Sequence, residues 1–112
     1  MTRSRPLWIA AALVAATACG SPRRGEPLVG ALALRGEPAR GEQVFMQQCH
    51  ACHPGGESGL GPALNNKPLP GFALRMQVRW GVGAMPGFSR DEIAPDDLDA
   101  LVAYLEALRD HR

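Results

Sequence analysis

Cys49 and Cys52 stand three positions apart with His53 directly after them, and the run Cys49-His50-Ala51-Cys52-His53 limits what this chain can fold around. On a helical turn, residues at i and i+3 share a face, so both thiols point to one side and the next residue brings an imidazole beside them. The rest of the chain has little with which to build a core of its own. Its 112 residues include 13 glycines, 10 prolines and six aromatic side chains, a composition with many turns and few large groups to bury. One small domain is all that this length allows, and its apolar interior needs a supplement.

The pattern C-x-x-C-H is the attachment signature of c-type haem. Each thiol can close a thioether with one vinyl group of the same porphyrin, and His53 can turn its imidazole under the iron as the proximal ligand. Three other uses of such a run are weaker. A zinc site would need a second Cys/His pair at suitable spacing, a thioredoxin-like pair would need a βαβ setting, and a structural disulfide would leave His53 without a role. His50, between the cysteines, is expected to face solvent. A macrocycle enclosed by Val44, Phe45, Leu64, Phe72, Leu74, Val78, Phe88, Leu98, Leu101 and Leu105 would supply the missing apolar area, so the fold is expected to depend on it.

The amino terminus has a different character. Arg3 and Arg5 precede an uncharged stretch over residues 7–18 that closes on Ala16-Thr17-Ala18-Cys19. A charged start, an apolar middle and small residues at the cut describe an export signal over residues 1–18. Its apolar run falls short of the roughly 20 residues a membrane span requires. Ala16-Thr17-Ala18-Cys19 resembles the lipobox of bacterial lipoproteins, in which Cys19 would become the acylated first residue, although Ala16 stands where that family usually has Leu or another large aliphatic. Ordinary cleavage at Ala-x-Ala is the alternative. Residues 19–38 read as a flexible tether with a reach of roughly 25 Å. Within it Arg24-Gly25-Glu26-Pro27 and Arg35-Gly36-Glu37-Pro38 repeat the same letters, which a Gly/Pro-rich linker produces by coincidence. Residues 39–112 remain as the folded unit. The formal charge is +1, or −1 once Arg3 and Arg5 are removed, and neither value offers a field for nucleic acid.

Within the folded unit the periodicities are helical. Gly41, Val44, Phe45 and Gln48 follow i, i+3, i+4, i+7, and no proline interrupts residues 39–53, which predicts a helix of about three turns. Residues 72–80 suit a second. A third opens with Pro95, Asp96 and Asp97, carries the apolar stripe Leu98, Leu101, Val102, Leu105 and Leu108, and ends near Arg109. Turn-rich segments over 54–66, 68–71 and 81–87 join them, and no alternating strand pattern occurs. The expected class is all-α.

Taken together, residues 39–108 resemble a class I bacterial c-type cytochrome. Gly41 and Phe45 occupy the places where that family's first helix has a small residue and an aromatic, crossing the last helix near an aromatic matched here by Tyr104. Gly59-Leu60-Gly61-Pro62-Ala63-Leu64 is similar to the family's G-x-G-P-x-L segment, which implies that the Pro62 carbonyl accepts the ring N–H of His53. Gly83-Ala84-Met85-Pro86-Gly87-Phe88 is similar to the family's M-P segment, which implies Met85 as the distal ligand. Pro86 biases Met85 away from helix and the flanking glycines let the backbone come close. Met46 and Met76 read as gap-fillers in the core. Arg75, Arg79 and Trp80 are candidates for the haem propionates, with a solvated Arg and a packed Trp as the plainer alternatives.

The resemblance implies a small cytochrome c fold, three or so helices around one covalently attached haem c. Cys49, Cys52, His53, Pro62 and Met85 are the cofactor-binding residues, His53 and Met85 the metal ligands. With both axial positions filled, no catalytic residue is expected. The chain would then carry single electrons, as a free carrier or as a subunit of an oxidoreductase, between a donor and an acceptor redox protein. The alternative is a gas sensor or small peroxidase in which Met85 dissociates. The expected location is the periplasm or the extracytoplasmic side of a bacterial membrane, with Cys19 as the lipidation site. Residues 19–90 hold eight cations against four anions and residues 91–112 two against seven, a dipole that can steer docking or simply reflect helix-end chemistry.

Overall fold

The computed structural model describes residues 32–111. Three helices and one short turn of 3-10 helix make up its regular structure: α1 (Glu37–Gln48), the 3-10 turn (Pro54–Gly56), α2 (Gly71–Trp80) and α3 (Pro95–Asp110). Among the described residues there is no strand, only an isolated antiparallel bridge between Val82 and Met85. The all-α class holds. The export signal over 1–18, Cys19 and most of the tether lie outside the described residues.

α1 and α3 begin where their first residues suit a helix start. Pro38 sits in the first turn of α1 with Glu37, so that helix opens two positions before Ala39. Pro95 opens α3, Asp96 and Asp97 stand in its first turn, and Arg109 lies in its last. The principal pair is α1 against α3, with α2 packed more lightly on α3. Gly41 makes the α1–α3 crossing possible, because a Cβ there would collide with the carbonyl of Ala100 and lie 2.9 Å from Leu101 N. One turn on, the rings of Phe45 and Tyr104 meet with centroids 5.2 Å apart and planes inclined at 53°. Arg40 pairs with Asp97 and Arg75 with Asp99, so α1 and α2 are each tied to the start of α3 by an exposed ion pair.

The core contains Phe45, Leu74, Val78, Leu98, Leu101 and Leu105 as expected, with Val44, Leu64 and Phe88 half-buried against it. Phe72 is a correction. It is 66% exposed, and Met76 and Trp80 are 44% and 75% exposed, so neither Met76 as a gap-filler nor Trp80 as a packed side chain is observed. The reason is angular: at 100° per residue, positions 72, 76 and 80 form one stripe opposite Leu74 and Val78, the pair that faces the core. Met46 is exposed for the same reason, being rotated 100° away from buried Phe45. Ile93 is fully buried although it precedes any periodic stretch. Leu32 and Leu34, read as tether, pack against the core instead.

Candidate haem site

The carboxyl end of α1 unwinds directly into the cysteine run. The amides of Cys49 and His50 donate to Phe45 O at 2.8 and 2.9 Å, and those of Cys52 and His53 donate to Cys49 O at 3.1 and 2.9 Å. Those bonds form one compact turn that carries both thiols and the imidazole. Cys49 is half-buried, Cys52 is exposed, and neither is in a disulfide. Burial pushes the free Cys49 thiol up to about 11, and the neighbouring Cys52 adds to the rise. His50, expected in solvent, is half-buried instead, and its Nδ1 accepts the N–H of Gly55 at 3.1 Å.

Residues 54–65 fold back over this turn. Gly61 donates to Cys52 O at 2.8 Å and accepts from Gly59 N at 2.9 Å, while Leu64 and Asn65 both donate to Gly56 O. Gly56, with φ of +83°, takes a left-handed conformation that favours glycine. The next position, Pro62, presents its carbonyl 2.8 Å from His53 Nδ1. A carbonyl can only accept, so Nδ1 carries a proton, and the neutral form of the ring has its lone pair on Nε2. Gly61 is part of the same fit, since a Cβ there would collide with the His53 ring. The buried imidazole therefore has one tautomer and one orientation.

Met85 lies on the loop that leaves α2. Val82 N donates to Met85 O at 3.1 Å and Met85 N to Val82 O at 2.9 Å, closing a tight turn, and Phe88 N returns to Val78 O at 2.9 Å. Gly81 has φ of +70°, and a Cβ there would strike Met85 O and the Gly87 amide. Met85 and Phe88 rest half-buried on the same core that Cys49 and Leu64 rest on. Arg79 is not a free cation. Its Nη1 donates to the carbonyls of Phe88, Ser89 and Ile93 at 3.2, 2.9 and 2.8 Å. Arg75 is held by Asp99 at 2.7 Å. No sequence signal marks the Arg79 contacts, because their acceptors are backbone carbonyls.

Two unpaired thiols on one turn, an imidazole with a fixed lone pair and a thioether on a glycine-bounded loop are a donor set that fits haem c. Among the described residues no three His, Cys, Asp or Glu side chains are placed to share a metal ion, so a zinc site has no donor set here. Residues 36–105 match the family described as cytochrome C oxidase, cbb3-type, subunit III.

The chain belongs to this family of c-type cytochromes.

Curated relatives agree. This cytochrome is 33% identical over 81 residues to cytochrome c6 of Gloeothece citriformis, covering 65% of this chain and 73% of that one. It is 36% identical over 75 residues to cytochrome c6 of Bryopsis maxima, covering 58% and 84%. It is 32% identical over 68 residues to the cytochrome c subunit of 4-cresol dehydrogenase (hydroxylating) from Pseudomonas putida, covering 61% and 59%. No solved structure matches significantly. The cytochrome carries haem c, attached through Cys49 and Cys52, and functions in electron transfer.

Proposed function

We propose that this cytochrome passes single electrons outside the cytoplasm, with His53 and Met85 as the two axial ligands of its haem. The observation that carries the reading is the 2.8 Å bond between His53 Nδ1 and Pro62 O. It fixes the proton on one nitrogen and leaves the other to bind a metal, and it makes the imidazole a stronger donor. Met85 supplies the soft partner, which favours the ferrous state relative to a second imidazole. The bound haem supplies a one-electron couple. The protein's part is to keep both axial sites occupied, so that an electron enters and leaves with little rearrangement and no substrate reaches the metal. Residues 1–18 direct export, and Cys19 becomes the acylated first residue; the Arg3, Arg5 and 7–18 pattern supports the first and the lipobox-like Ala16-Thr17-Ala18-Cys19 the second. Donor and acceptor are redox proteins on that side of the membrane.

The test is the weak near-red charge-transfer band between ferric iron and a thioether sulfur. Wild-type protein is expected to show it and Met85→Ala to lack it while keeping the attached haem. A band that survives in Met85→Ala would remove Met85 from the ligand set. Slow carbon monoxide binding to the reduced wild type is expected of an electron carrier, whereas rapid binding at neutral pH would favour a sensor or peroxidase.

A further inference from the structure

Arg79 is a charged side chain turned inward on its own backbone, and its three acceptors all lie just beyond Met85. We propose that Arg79 is the latch of the Met85 loop, a positioning residue that keeps the thioether in place without touching it. The inference rests on Met85 as the distal ligand.

The loop after α2 has few other ties. Pro86 has no N–H to donate, and the Val82 and Met85 pair bonds only within the loop. Phe88 N on Val78 O is the one backbone bond that returns it to the helix. Arg79 brings the two N–H bonds of one nitrogen to three carbonyls, Phe88 O, Ser89 O and Ile93 O, with one N–H shared between two of them. Bonds from a charged donor are stronger than those between neutral groups. Gly87 lets the loop lie close to the base of the latch, since a Cβ there would sit 2.6 Å from Arg79 O. The latched segment is itself clasped: Ser89 N donates to Glu92 Oε2 at 2.7 Å, Glu92 N to Ser89 Oγ at 3.3 Å, and Ile93 N to Ser89 O at 3.0 Å. Arg79 thus grips a preformed turn on the far side of Met85 while its own backbone leads into Gly81 and Val82 on the near side.

None of the three acceptors belongs to α1 or α3. Cutting the guanidinium away therefore loosens the loop before it loosens the helical core. The Met85-off population rises, and with it the access that an external ligand gains to the metal.

The experiment uses full-length haem-loaded protein in wild-type, Arg79→Gln, Arg79→Lys, Arg75→Gln and Met85→Ala forms. Two signals are followed through one thermal ramp, the near-red band and the far-ultraviolet helix signal, and the rate of carbon monoxide binding to the reduced protein is measured separately. Arg79→Gln is expected to lose the band well below the helix transition and to bind carbon monoxide at least tenfold faster than wild type. Arg79→Lys is expected to stay within threefold, because an ammonium also gathers several donors on one nitrogen. Arg75→Gln, which breaks an exposed ion pair on the same helix, is expected to stay within threefold as well. Band and helix melting together in Arg79→Gln, or a carbon monoxide rate within twofold of wild type, overturns the latch. A band retained in Met85→Ala overturns the ligand assignment beneath it, a separate result. Should Arg79→Gln fail to accumulate, exposed Glu92→Ala loosens the same turn. A rate at least threefold faster with unchanged helix melting is then expected, and a wild-type rate overturns the proposal.

Discussion

Gly61→Ala attacks the proximal side at one point. A Cβ at position 61 would collide with His53 Cε1 and lie 2.7 Å from Nδ1 and 2.8 Å from Nε2, against ordinary contact of 3.4 Å or more, so something must shift by about 1 Å. The backbone is poorly able to retreat, since Gly61 N is bonded to Cys52 O and Gly61 O to Gly59 N. The ring, only 6% exposed, moves instead. Its 2.8 Å bond to Pro62 O then stretches toward 3.5 Å, the outer limit of a hydrogen bond. Losing a buried bond of this kind costs about 1–3 kcal/mol. For a domain of this size 2 kcal/mol corresponds to a fall in Tm of roughly 8–16 °C. The reduction potential should rise, because an imidazole without that acceptor is a weaker donor to ferric iron, and a tenfold change in relative affinity corresponds to about 59 mV for one electron. The assay is thermal melting together with a potentiometric titration of the visible bands. Gly55→Ala is the control: φ is +61° there but a Cβ meets nothing, so only backbone strain of about 1–2 kcal/mol is added and the potential should hold. A Gly61→Ala protein with wild-type Tm and potential would refute the wedge.

Gly41→Ala gains up to about 1 kcal/mol of helix propensity but places a methyl against the backbone of Ala100 and Leu101, so a net loss of about 2 kcal/mol is expected in a denaturant titration, with the potential unchanged. A stabilised variant would mean that α1 and α3 do not cross there. Burial, reinforced by Glu42, pushes the Tyr104 hydroxyl up to about 12 from an ordinary 10.0. The folded protein therefore holds a proton that the unfolded chain releases between those values, so the contribution of Tyr104 to stability is unchanged below pH 10 and falls above it by at most about 1.4 kcal/mol per pH unit. Tyr104→Phe should show a smaller alkaline loss than wild type, and equal losses would count against this origin.

Legibility followed the physics of each element. The α3 stripe was readable because Leu98, Leu101, Val102, Leu105 and Leu108 repeat on one face, and all are buried. The crossing of Gly41 and Phe45 with Tyr104 came through the resemblance to the family's first and last helices, and the missing Cβ and the ring contact are the physical content of that match. The Pro62 contact came through the resemblance of residues 59–64 to a known segment, since no periodicity predicts which carbonyl an imidazole reaches. Phe72 and Met76 misled for the opposite reason: apolar identity suggested burial, but helical rotation puts them opposite Leu74 and Val78. Arg79 carries a charge that suggested a haem propionate or solvent. Only three-dimensional folding brings the carbonyls of residues 88, 89 and 93 to one nitrogen.

The charge division between residues 19–90 and 91–112 takes on a different weight in three dimensions. Asp97 is paired with Arg40 and Asp99 with Arg75, so two of the seven acids in the last segment are matched to cations of the first across helix contacts. Exposed pairs of this kind are worth at most about 1 kcal/mol each, yet they shorten the dipole that would steer a partner. What the pairs do mechanically is hold the starts of α1 and α3 and the middle of α2 together at the end of the bundle where Gly36 and Pro95 begin their helices. The proposed haem ligands are placed elsewhere, His53 on the 49–53 turn covered by the 54–65 loop and Met85 on the 81–93 loop, both secured by backbone carbonyls and glycine contacts and the second also by one guanidinium. Helix crossing and loop latching are therefore separable. Changes at Gly41 should move stability and leave the potential alone, while changes at Gly61 or Arg79 reach the metal through His53 or Met85.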